Sequence, residues 1–121
     1  MPRHESHRYF TEFLPSILGQ LLIDDLRDLT RCFEIEVTDA PAPPWRLAIE
    51  SGRLVSVGHD GPEPACRFRL DTPTLVDVVA ARVQPAEAFF AKRIDLVGDV
   101  EVGLQLSTVL EPFFRRFPWA A

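Results

Sequence analysis

The side chains able to do chemistry are few and widely spaced. His4 and His7 lie three residues apart, as on one side of a helical turn, and the third histidine, His59, stands in a Gly-containing loop. A metal site needs more ligands held in fixed geometry, so residues 1–8 are expected to be a disordered polar terminus and no metal is expected. Asp24 and Asp25 are neighbours, and neighbours on a helix point about 100° apart, so they do not share a site. There is no G-x-S-x-G elbow, Gly-rich phosphate loop, C-x-x-C pair or H-E-x-x-H run. Asp99 follows Gly98 and suits a helix cap, which leaves Asp95, His59 and Tyr9 as the only candidate acids or bases for a small isomerase or hydratase acting on a hydrophobic substrate. Asp95 is the one carboxylate to check for a buried partner. Catalysis is the weaker hypothesis, and no catalytic residue or cofactor is expected.

With 121 residues, 46% of them hydrophobic, the chain has enough apolar material for one domain over 1–121 but too little for two cores. No apolar run approaches the roughly 18 residues needed to cross a bilayer, and the first eight residues lack the apolar stretch of a signal peptide. A cytoplasmic location, peripheral to the inner membrane, is expected, with Cys32 and Cys66 as thiols rather than a disulfide. A net charge of −5 and scattered basic residues argue against a nucleic-acid partner. The eleven prolines fall mostly where elements start or stop.

The elements that position these residues follow from periodicity. Phe10, Phe13, Leu14, Ile17, Leu18, Leu21 and Leu22 recur at helical spacing, with Pro15 marking a start near Leu14 or a bend. Residues 24–30 continue as a helical piece with Leu26 and Leu29 inward. From Cys32 the period becomes two: Phe33, Ile35 and Val37 share one face, then Trp45, Leu47 and Ile49, then Cys66, Phe68 and Leu70. Matching apolar faces pairs Leu47 with Val57 and Ile49 with Val55, which requires a three-residue hairpin loop or an equivalent bulge. Glu34, Glu36, Arg46, Arg67 and Arg69 fall on the other face, placed to pair across strands. Thr72 before Pro73 starts a helix carrying Leu75 and Val79, Pro85 opens another, Ile94 and Leu96 belong to the last strand, and the final helix bends or restarts at Pro112.

Residues 85–106 organise the rest: Pro85, then Ala88-Phe89-Phe90, the basic pair Lys92-Arg93, a β-favourable run, Gly98-Asp99, and a helix with small and leucine positions. This pattern resembles the type-2 sterol carrier protein family, with looser likeness upstream to the hairpin near Trp45. The family usually has Gly before the motif's Lys, where this chain has Ala91. That departure, with Ala80-Ala81-Arg82 and Gly103-Leu104, resembles the bacterial accessory proteins of ubiquinone biosynthesis that carry the same domain. The resemblance implies an α+β fold, a five-stranded mostly antiparallel sheet with helices covering one face and an apolar tunnel between them.

The expected function is a non-catalytic carrier that sequesters a long-chain lipid, sterol or polyprenyl ligand. The expected ligand-binding residues are Leu75, Val79, Phe89, Phe90, Leu96, Leu106, Leu110 and Phe113. The aromatic tail offers Phe114, Phe117 and Trp119, beside Arg115 and Arg116, either as a plug on the core or as contacts with a transient membrane surface. The alternative is an interaction module whose apolar groove holds biosynthetic enzymes.

Overall fold

The computed structural model describes residues 7–19, 30–40, 43–61 and 63–119. Within them the elements come in the expected order: a helical segment, four strands, two helices, a strand and a long helix. The strands β1 (Arg31–Val37), β2 (Trp45–Glu50), β3 (Arg53–Gly58), β4 (Cys66–Leu70) and β5 (Asp95–Gly98) form one sheet in the order β3-β2-β1-β4-β5. The β1–β4 pair is parallel, and the other three pairs are antiparallel. The sheet is therefore mixed, because the chain leaving β3 passes β2 and β1 before pairing on the far side of β1.

Strand alternation puts Phe33, Val37, Trp45, Leu47, Ile49, Cys66, Phe68 and Leu70 into the core. The opposite face carries an ionic lattice across three strands. Glu34 accepts from Arg46 Nε at 3.0 Å and from Arg67 at 3.0 Å, while Glu36 accepts from Arg67 at 3.2 Å and Arg69 at 3.3 Å. The register sets these pairs, since Arg46 and Arg67 stand directly opposite Glu34. Glu34 is only 6% exposed although it lies on the outer face, and its two arginine partners lie over it.

The β2–β3 hairpin departs from the simplest expectation. Glu50 pairs with Arg53, so the loop has two residues, Ser51 and Gly52, both with positive φ as a type I′ turn demands. A bulge between Ala48 and Ile49 then restores Leu47 opposite Val57, while Ile49 pairs with Leu54. Leu54 is buried and Val55 is exposed, so the bulge rather than a longer loop matches the apolar faces.

The N-terminal segment is a π-helical turn, Tyr9–Phe13, running into the short helix α1, Leu14–Ser16. The expected amphipathic helix is thus cut short: Ile17 leaves helical geometry, Gly19 has a φ of 86°, and its N–H donates to Leu54 O in β3 at 2.8 Å. Leu21, Leu22, Leu26 and Leu29 lie outside the described residues. So do residues 1–6 of the expected disordered stretch, whereas His7 and Arg8 are helical.

Helix α2 spans Thr72–Val79 and is capped by Asp71, whose carboxylate accepts from Thr74 N at 3.0 Å. Thr72 is not the cap; its N–H and hydroxyl both donate to Asp39. Helix α3 is Pro85–Phe90, and α4 is Val100–Arg116, capped by Asp99 through Val102 N at 3.1 Å. Pro112 removes one ladder bond, yet α4 continues through it without the expected restart. The β5–α4 turn has Gly98 at a φ of 97°, where a Cβ would meet Ala65 O at 3.0 Å. Gly103 brings α4 onto β5 so closely that an added Cβ would lie 2.7 Å from Leu96 Cδ2.

Candidate functional site

A cavity of about 50 Å³ lies between the inner sheet face and the helices. Its floor is Phe33, Ile35, Leu47, Ile49, Leu54, Phe68 and Leu70, side chains that strand alternation turns inward. Leu75, Val78 and Val79 of α2, Pro85 and Ile94 form one wall, and Ser107, Leu110, Phe113 and Phe114 of α4 form the other. Tyr9 and Leu14 close the N-terminal side.

Among the described residues the lining is apolar but for two hydroxyls. Ser107 Oγ donates to Gly103 O at 2.9 Å, so its proton is committed to its own helix. Tyr9 is 2% exposed, and its hydroxyl has no hydrogen-bond partner among the described residues. Burial raises the Tyr9 phenol far above its ordinary range, so it stays a neutral O–H.

Of the expected ligand-binding residues, the structure brings Leu75, Val79, Leu110 and Phe113 together at the cavity. The others lie elsewhere. Phe90 is 73% exposed, Phe89 is half-buried with its ring 5.3 Å from that of Phe90, and Leu96 packs against Gly103. Leu106 is buried and borders a second, open depression of about 400 Å³ with Arg31, Gln105 and Thr108. Val102 and Val109 complete its lining.

The aromatic tail folds back on the core. Phe114 is buried and lines the cavity, the Phe117 ring stands 5.4 Å from Phe113, and Trp119 stands 5.4 Å from Tyr9 while its N–H donates to Val79 O. Arg115 pairs with Glu111, and Arg116 lies over the Phe117 ring. The cavity-lining roles of Val78 and Ser107 were not anticipated, and Tyr9, considered only as an acid or base of the weaker enzymatic reading, lines the cavity as well; the chain's single tyrosine beside Phe10 and Phe13 was the available signal.

Among the described residues, Tyr9 is the only titratable side chain that lines the cavity. Asp95 is exposed, and exposed His59 packs 4.0 Å from the Trp45 ring with its Nδ1 3.1 Å from Pro44 O. Cys32 and Cys66 form no disulfide, and burial pushes the Cys66 thiol up to about 11, aided by the charge of Asp99. Burial also raises Cys32, against the opposing charge of Arg46. Among the described residues, no three His, Cys, Asp or Glu side chains are grouped to hold a metal, and no helix is long and apolar enough to cross a membrane.

A single mixed sheet covered by helices over an apolar cavity defines an α+β domain. The chain belongs to the SCP-2 sterol transfer family, whose model matches residues 18–111. Solved structures agree on the fold. The UbiJ-SCP2 ubiquinone synthesis protein is 18% identical with a TM-score of 0.61, the match covering 91% of this chain and 93% of that one. The palmitated SCP2L2 of Aedes aegypti is 12% identical with a TM-score of 0.56, over 77% of this chain and 94% of that one. The double mutant of the sec-alkyl sulfatase PisA1 is 20% identical with a TM-score of 0.61, over 90% of this chain but only 16% of the sulfatase. No curated protein matches the sequence.

Proposed function

We propose that this domain is a non-catalytic carrier that takes one long apolar lipid or isoprenoid into the space between sheet and helices. The observation that carries this reading is the cavity lining, which among the described residues is apolar except for Tyr9 and Ser107. Burial of one methylene is worth about 0.8 kcal/mol, while micromolar affinity needs about 8 kcal/mol beyond association costs of several more. The ligand therefore has well over a dozen carbons, which fits acyl chains, sterols and polyprenyl tails. A cavity of about 50 Å³ is too small for such a molecule, since an apolar cavity of about 150 Å³ holds a ligand only the size of benzene. Loading must move a wall. The N-terminal segment and the aromatic tail close the cavity from the two ends of the described chain, and they are the walls that yield.

The physiological ligand is a polyprenylated ring intermediate of quinone synthesis. Ala80-Ala81-Arg82, Phe89-Phe90, Lys92-Arg93 and Gly103-Leu104 support this reading, as does the fold shared with the UbiJ-SCP2 protein. The carrier loads at a membrane surface, where exposed Phe90 beside Lys92 suits shallow insertion. Quinone levels in a host strain lacking the protein, grown with and without oxygen, test the assignment. A fall restored by the wild-type chain is expected; normal levels in both conditions defeat it.

A further inference from the structure

Tyr9 is the one lining residue whose chemistry the apolar cavity leaves unexplained. Its neighbours are rings: Phe10 at 5.4 Å, Phe13 at 5.5 Å and Trp119 at 5.4 Å between centroids. None of the three accepts a conventional hydrogen bond, and the other hydroxyl at the cavity, that of Ser107, donates to Gly103 O. A buried hydroxyl without a partner is costly, and Phe at the same position would fill the same space without that cost. Tyr9 also opens a π-helical turn, a geometry frequent at functional sites.

We propose that the Tyr9 hydroxyl is the polar recognition point of the cavity and donates its hydrogen bond to a neutral oxygen on the bound lipid, that of an alcohol, ketone or ester. This rests on the carrier reading above. A neutral oxygen is favoured over a carboxylate because no Lys, Arg or His among the described residues lines the cavity, and an unpaired charge there would be strongly disfavoured. The hydroxyl selects among lipids of equal length, while the apolar walls supply affinity without telling those lipids apart.

The experiment delivers hexadecan-1-ol and hexadecane together from phosphatidylcholine vesicles to the full chain, and measures both in the repurified protein by gas chromatography. The ratio of bound alcohol to bound hydrocarbon is expected to fall about tenfold in Tyr9→Phe, the value of one buried hydrogen bond left unmade. Thermal stability of ligand-free Tyr9→Phe is expected to equal or exceed wild type, since the variant removes an unpartnered hydroxyl. An unchanged ratio in folded Tyr9→Phe overturns the role of Tyr9 and leaves the carrier standing. Failure of wild-type protein to take up either compound overturns both. Because Tyr9 is the only tyrosine, the ¹³Cζ resonance of tyrosine-labelled wild-type protein tests the proposal without any substitution. It is expected to shift on loading hexadecan-1-ol and not on loading hexadecane; equal spectra for the two loaded forms contradict the hydrogen bond.

Discussion

The Trp119 ring stands 5.4 Å from that of Tyr9, so the end of the described chain closes on its first helical turn at the side of the cavity. The Trp119 N–H, bonded to Val79 O at 2.9 Å, fixes that closure to α2. The tail is thereby a wall of the cavity. Trp119→Ala is expected to cost about 1–2 kcal/mol of stability from lost apolar burial and to speed lipid release in a stopped-flow transfer assay. A membrane-docking role for Trp119 predicts the opposite, slower transfer with unaltered stability.

Phe90 gives a contrasting case. Its position in the Phe-Phe motif suggested an inward side chain, for which Phe90→Asp would disrupt binding, but it is 73% exposed and does not line the cavity. Equilibrium affinity for a vesicle-delivered lipid is therefore expected to stay within about twofold of wild type, because surface substitutions of this kind stay within roughly 0.5 kcal/mol. Exchange with vesicles is expected to slow. Lost affinity in a folded variant would return Phe90 to the ligand.

The ionic lattice outside the sheet makes stability depend on pH. Burial opposes ionisation of Glu34, but hydrogen bonds from Arg46 and Arg67 outweigh it and hold the carboxyl below its ordinary value of 4.5. A lowered folded-state value means that the stabilisation is fully present above the unfolded value and is lost as pH falls through the folded one. Glu34→Gln is expected to lower stability at neutral pH by about 1–2 kcal/mol, discounted because both arginines are partly exposed. It is also expected to flatten the loss of stability below about pH 4.5. Equally steep acid unfolding curves for variant and wild type would show that other carboxylates carry that dependence. Asp71 is one, its carboxyl lowered chiefly by the Thr74 hydrogen bond.

Asp99→Ala removes the cap on Val102 N and is expected to cost about 0.5–2 kcal/mol while leaving lipid affinity unchanged. Chemical denaturation with a parallel binding assay checks both. Full stability with lost binding would make Asp99 a functional carboxylate instead of a cap.

Much of the fold was legible because it rests on local rules. Period-two alternation assigned the inner residues of β1, β2 and β4, and Gly98-Asp99 announced the start of α4. What sequence could not supply was which apolar residues stop short of contact. Leu110 and Leu106 are both buried in α4, yet only Leu110 meets the cavity; Leu106 borders the outer depression instead. Helical spacing is blind to that difference, which depends on the angle at which α4 crosses the sheet, set in part by the close approach of Gly103 to Leu96. Of the bend or restart expected at Pro112, the restart does not occur: an interior proline costs about 3 kcal/mol, yet the 17-residue helix continues past it, with its next residues Phe113 and Phe114 buried.

The central claim is that the apolar cavity opens to hold one long lipid. Native mass spectrometry of the full chain purified without detergent from its own host measures this directly, with organic extraction to identify the adduct. The expected result is a stoichiometric neutral adduct of well over a dozen carbons that denaturation releases and that Leu110→Trp, which fills the cavity, greatly reduces. A bare protein mass from the host, together with no uptake of lipid from vesicles by the folded wild-type chain, would contradict it.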